Sequence, residues 1–206
     1  MEKQRILFAN VLYEKSGTNN GFSKHANSGG LFGELYNFNS VPKDGKSVCL
    51  GFFEPGHYTD KQQVKRSRQV HIENIDPVFA KAQETTGVLV IWHAVVPNGD
   101  TSIIGWYKNA TVYREYTPRT ANLSPSGRDE GFTYNVVADK SNCVRLPESE
   151  IRNNRAKWSG CREKINGFGF GQSNMWYANE QSAEVLNYVS KLVDEINNYK
   201  GQNDVT

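Results

Sequence analysis

The sequence predicts an α+β domain: a strongly curved, mostly antiparallel, β-barrel-like sheet flanked by helices. Three observations predict it. An almost unbroken apolar run, GVLVIWHAVV at 87–96, has the character of a central strand. PNGD at 97–100 turns it, and TSIIGWYKNATVYRE at 101–115 returns antiparallel. Helical periodicity is confined to short segments and to the C-terminal end, an order that suits strands with helices packed at the sheet's ends.

In chain order, QRILFANVLYE at 4–14 alternates as a strand. A Gly/Asn/Ser-rich loop follows at 15–33, long enough to carry function. SVCLGFFE at 47–54 and RQVHIENI at 68–75 read as strands. The connection between them carries Lys61, Lys65, Arg66 and Arg68. DPVFAKAQ at 76–83 reads as a short helix, with Asp76 as its cap and Pro77 at its first position. FTYNVVA at 132–138 is a further strand, and LPESEIRNNRAKW at 146–158 a short helix entered through Pro147. GFGFGQSNMWYANE at 167–180 is a glycine-aromatic loop. An amphipathic helix closes the chain, with Val185, Leu186, Val189, Leu192, Val193 and Ile196 on its inner face. The last six residues are expected to fray. The 206 residues suit a single domain with its core over about 5–199.

Charge sets few limits. A net charge of +2 does not by itself argue for nucleic acid, so a local basic patch would have to. Cys49, Cys143 and Cys161 are sparse and show no C-x-x-C spacing, which reads as reduced thiols. No apolar N-terminal segment and no membrane-length run is present, so a cytoplasmic protein without a membrane partner is expected.

Catalytic and metal motifs fail on inspection. DGKS at 44–47 is a hairpin turn and not a phosphate loop, because Ser40 stands where the first glycine is needed. GFGFG at 167–171 lacks the spacing of a dinucleotide fingerprint. His25, His57, His71 and His93 have no ligand partner at i+3 or i+4. A binding domain with no catalytic residue, cofactor or metal is therefore the expectation.

The aromatic residues carry the functional signal. Trp92, Trp106 and Tyr107 fall on two adjacent strands, Trp176 and Tyr177 in the loop before the last helix, and Trp158 at the end of the short helix. Core packing is one reading of them. The other is a pocket for a flat polar ring, with aromatics on its faces and amides or hydroxyls on its edge. Trp106 and Trp176 are the candidate walls, with Tyr107 and Trp92 in reserve. Asn109, Ser173 and Asn174 are the candidate edge readers. Gly105 would let a ligand or another backbone approach. Lys65, Arg66, Arg68, Lys108, Arg155 and Arg162 are candidate phosphate contacts, with Arg152, Lys157 and Lys164 nearby in sequence.

The run 87–115, a further strand, LPESEIR and GFGQSNMWYA together resemble the PUA-like superfamily that includes EVE and YTH domains. More narrowly they are similar to N-terminal specificity domains of modification-dependent restriction systems, McrBC-type or nuclease-fused. GELYNFNSVPKDGKSVCLGFFE at 33–54 is similar to the same group. The resemblance implies a small curved barrel that binds DNA and flips a modified base into an aromatic cage. It also implies a nuclease or motor effector on a longer chain or a partner. The spacing of three cage aromatics typical of YTH domains is absent. Two rivals remain: an enzyme acting on a nucleotide or small amide through Asp139, Glu148 or His93, and a module whose aromatics bind protein.

Overall fold

Two long strands, β6 (Glu84–Val95) and β7 (Thr101–Pro118), form the spine of the molecule. The computed structural model describes residues 4–13, 34, 36–63, 65–67, 69–97, 99–124, 127 and 131–206. β6 and β7 pair antiparallel through the turn at 96–100, as the apolar run and its return predict. β1 (Ile6–Val11) lies parallel to β6, and the two-residue β10 (Met175–Trp176) adds to β1 antiparallel. On the other side, β8 (Thr133–Asp139) pairs with β7, β3 (Lys46–Gly51) with β8, and β2 (Ser40–Lys43) with β3. The order is β10-β1-β6-β7-β8-β3-β2, with β9 (Cys143–Arg145) also on β7. β4 (His57–Thr59) and β5 (Lys65–Ser67) form a separate ribbon.

The architecture is α+β with a mostly antiparallel sheet. The sheet is open: β10 and β2 end the order without pairing to one another, so the expected barrel-like closure is absent among the described residues. Asp44 and Gly45 both take positive φ between β2 and β3, the geometry of a two-residue hairpin at DGKS.

Among the described residues three α-helices complete the layers: α1 (Glu148–Asn153), α2 (Glu163–Asn166) and α3 (Ala183–Asn198). Ser182 caps α3 by accepting from the Val185 N–H at 3.3 Å. Val185, Leu192 and Ile196 bury the inner face, while Leu186 is half exposed and lies off the stripe assigned to it.

Two other elements differ from expectation. The segment read as a strand at 68–75 is not one over its described residues, 69–75. Val70, Ile72 and Ile75 are buried, and a one-turn 3-10 helix at Ile72–Asn74 sets their spacing. Residues 76–83 form a single 3-10 turn, Pro77–Phe79, and Asp76 does cap it by accepting from Val78 N–H. The C-terminal residues do not fray. Thr206 exchanges backbone hydrogen bonds with Phe38 and Ser40, and Asp204 N–H donates to Arg145. No helix of the described residues is long and apolar enough to cross a membrane.

Candidate functional site

The aromatic side chains expected to form a cage are packed against each other. Trp106 is 1% exposed, stacks on Trp158 at 5.5 Å and meets the Tyr199 edge at 5.4 Å. Trp92 and Tyr107, fully buried on the opposite face of the sheet, contact each other at 5.2 Å, with Phe38 and Phe53 beside them. Neighbouring strand residues do point to opposite faces, but both faces are covered. Trp176 packs against Phe8 at 4.7 Å, Phe168 and Tyr188, and its indole N–H donates to the Glu180 carboxylate. None of these four rings leaves a face open to a base in this conformation. Two of the three candidate edge readers, Ser173 and Asn174, are engaged as well. Ser173 Oγ accepts from Met175 N–H, and Asn174 Nδ2 donates to the Glu54 carbonyl at 3.1 Å.

GWYKN is broken for internal reasons. A Cβ at Gly105 would stand 2.2 Å from the Val144 carbonyl and 2.7 Å from the Phe38 ring. The clearance is taken by β9, which pairs there, and by a core aromatic, rather than by a ligand. Lys108-Asn109 is where β7 bulges against β6. Asn109 is exposed and takes φ of 51°, a left-handed conformation that asparagine tolerates. Lys108 Nζ donates to Asn197 Oδ1 on α3 at 3.0 Å, and burial, with Lys200 adding, lowers its pKa. It therefore ties a helix to the sheet.

Two of the candidate cations do converge. Past the ends of β1 and β6, beside α1, a depression of about 190 Å³ is lined by Tyr13, Val96, Ser102, Ile151, Arg152 and Arg155, among others. A second, of about 420 Å³, shares Asp100, Ser102 and Arg155 with it and continues to Ser159, Arg162 and Asn166. The two form one groove with three arginines along it. Arg152 lies 2.8 Å from Glu148 and Arg155 3.8 Å from Asp100. The side chains of both arginines are more than half exposed, so these pairs are worth no more than about 1 kcal/mol each and yield readily to a phosphate. Arg68 and the side chains of Lys65 and Arg66 lie outside the described residues, as does His25.

Reading along the sequence missed Tyr13, Ser102 and Glu34 at this end of the sheet. A small cavity of about 20 Å³ adjoins the groove and shares Tyr13, Glu148 and Ile151 with it. Glu34 lines it with Arg145, and the Glu34 carboxyl is pushed up to about 7, chiefly by burial and also by the charge of Glu54. It accepts the Leu12 N–H at 2.8 Å. Burial raises the Tyr13 hydroxyl, with Glu148 adding. Of the candidate acids and bases, only Glu148 lines this groove. His93 is fully buried, and burial holds its imidazole down to about 3. Asp139 lines a different depression, beside Lys46 and Lys140. Among the described residues no group of three or more His, Cys, Asp or Glu could hold a metal ion. Comparisons with protein-family models, with curated proteins and with solved structures found no match.

Proposed function

We propose that this chain is a nucleic-acid-binding module that seats a phosphodiester backbone on the Arg152–Arg155–Arg162 groove. The carrying observation is the convergence of Arg155 and Arg162 on one depression, with Arg152 on the adjoining one. Guanidinium groups suit phosphate because their donors match its oxygens in pairs. Tyr13, half-buried, lines the same groove, and in this proposal a base stacks on its ring. A PUA-like kinship, DNA as the partner and a place in a modification-dependent defence system belong to the same proposal, resting on the sequence resemblance. Flipping a modified base into a cage of Trp106 and Trp176 receives no support from the packing of those rings.

Fluorescence anisotropy tests this with matched duplexes and single strands, unmodified or carrying N6-methyladenine or 5-methylcytosine, at two salt concentrations. Binding that weakens steeply with salt, and less steeply in Arg155→Ala with Arg162→Ala, is the expected result. A preference for a modified duplex would restore the base-reading part. No binding even at low salt would overturn the proposal.

A second reading has its own observation, the raised Glu34 carboxyl in a small cavity lined also by Tyr13 and Glu148, which adjoins the groove. A carboxyl that titrates near neutral pH suits general acid–base work on a small ligand. Turnover of a free nucleotide, abolished in Glu34→Gln, would favour this enzyme reading over the binding one.

A further inference from the structure

The two parts of the arginine groove differ in chemistry. The smaller depression, about 190 Å³, has a buried apolar lining in Val96 and Ile151, with Pro97 and the half-buried Tyr13 beside them. Its charged lining is balanced, two arginines, Arg152 and Arg155, against two carboxylates, Asp100 and Glu148. The larger depression, about 420 Å³, is mostly polar, with Thr101, Ser102, Ser159 and Asn166 alongside Arg155 and Arg162. A phosphodiester backbone lying on the arginines has no use for Val96, Pro97 and Ile151 and would leave them bare. A duplex cannot cover them, because its bases are paired and stacked inside a convex rod, and extruding one costs a few kcal/mol. A single strand brings bases that are already unpaired, and the smaller depression has the size of one base rather than of a base pair. The carboxylates narrow the choice of base. Glu148 lies 2.8 Å from Arg152, and Asp100 3.8 Å from Arg155. When a phosphate takes those guanidinium groups, both carboxylates turn to other donors, and a carboxylate accepts well from an exocyclic amine. Cytosine and adenine carry such an amine on the pairing edge. Thymine and uracil carry a carbonyl oxygen there, which a carboxylate repels.

We infer that the depression at Tyr13, Val96 and Ile151 is a pocket for one unpaired base with an exocyclic amine, so that the groove takes single-stranded nucleic acid. This rests on the proposed seating of a phosphodiester backbone on Arg152, Arg155 and Arg162. The base lies against the apolar lining, and its amine donates to Asp100 or Glu148. The phosphate of that nucleotide bonds Arg152 and Arg155, and the strand continues past Ser102 and Ser159 to Arg162. Burying the base supplies affinity that exposed ion pairs do not, and the carboxylates supply the choice of base.

The test is fluorescence anisotropy of the full chain at neutral pH with short labelled DNA strands of equal length, all cytosine, all adenine or all thymine, and with a mixed-sequence duplex. The cytosine or the adenine strand should bind roughly tenfold tighter than both the thymine strand and the duplex. In Asp100→Asn with Glu148→Gln every strand should gain from the lost negative charge, so the ratio between strands is what is read, and it should fall to about one. Tyr13→Leu should weaken the preferred strand several-fold and leave the duplex unchanged. Equal binding of single strands and duplex, or a base preference that survives the loss of both carboxylates, would overturn this inference. The groove itself would still stand if Arg155→Ala with Arg162→Ala lowered the salt dependence. No binding of any strand at low salt would overturn both. The wild-type ratios decide the matter even where a variant fails to fold.

Discussion

The aromatic spine and the arginine groove begin as similar signals in the sequence and end differently. Each is a cluster of residue types that nucleic-acid sites use. The aromatic residues sit on long strands, β6 and β7, with β1, β9 and α3 packed around them, and the fold buries them. Arg152 sits on the six-residue α1, Arg155 on the turn that follows it and Arg162 at the start of α2, and they stay in water. The lesson is about desolvation. A tryptophan on a central strand gains by leaving water whatever else it might do, while a guanidinium leaves water only with a partner. Exposed charge therefore remains available to a ligand, and the rings do not.

Substitutions can break or sharpen this contrast. Trp106→Ala should have the largest effect, a loss of about 3–5 kcal/mol measured by chemical denaturation, because it empties the space between Trp158 and Tyr199. If the variant keeps its stability and loses only DNA binding, the ring is a site residue and the contrast fails. Gly105→Ala should come next, about 1–3 kcal/mol or more, since the new methyl meets the Val144 carbonyl. At the other extreme, Arg155→Ala with Arg162→Ala should shift stability by no more than about 0.5 kcal/mol for each substitution while lowering the salt dependence of the proposed nucleic-acid binding. A large loss of stability there would make those arginines structural.

Buried titratable groups give an intermediate, pH-dependent test. Among the described residues neither ring nitrogen of His93 finds a hydrogen-bond partner, and its rings of contact are Phe8 and Phe170. Its folded pKa, about 3, lies below the ordinary 6.5, so the unfolded chain takes up a proton that the native state refuses. The neutral ring's stabilising share is complete above pH 6.5 and is lost as pH falls toward 3. Glu34 has the opposite sign. Its folded pKa, about 7, lies above the ordinary 4.5, so its share is complete below pH 4.5 and is lost as pH rises through 7. Stability measured from pH 4 to 8 should therefore depend less steeply on acid in His93→Phe, and should stop declining toward neutral pH in Glu34→Gln. Unchanged profiles would mean that neither group is buried as described.

Much of the fold was legible from local chemistry. The apolar run at 87–96 and its turn placed β6 against β7, the hairpin at DGKS formed, and Asp76 caps the turn that follows it. Residues 68–75 were misread because Val70 and Ile72 fit a strand's alternation, while the burial of Ile75 three positions on marks the 3-10 turn. The groove was half legible: Arg152 and Arg155 are close in sequence, but Tyr13 and Ser102 reach it only because β1 lies parallel to β6 and β7 returns beside it.

The sequence by itself determined the local elements, since turns, caps and apolar periodicity act between residues a few positions apart. It also determined which side chains would seek burial. Only the tertiary structure decided which surfaces meet. The glycine in GWYKN clears space for a strand about forty residues later, the C-terminal residues dock on Phe38 and Ser40, and Trp106 stacks on Trp158. Each depends on contacts between distant parts of the chain, whose energies no single segment carries.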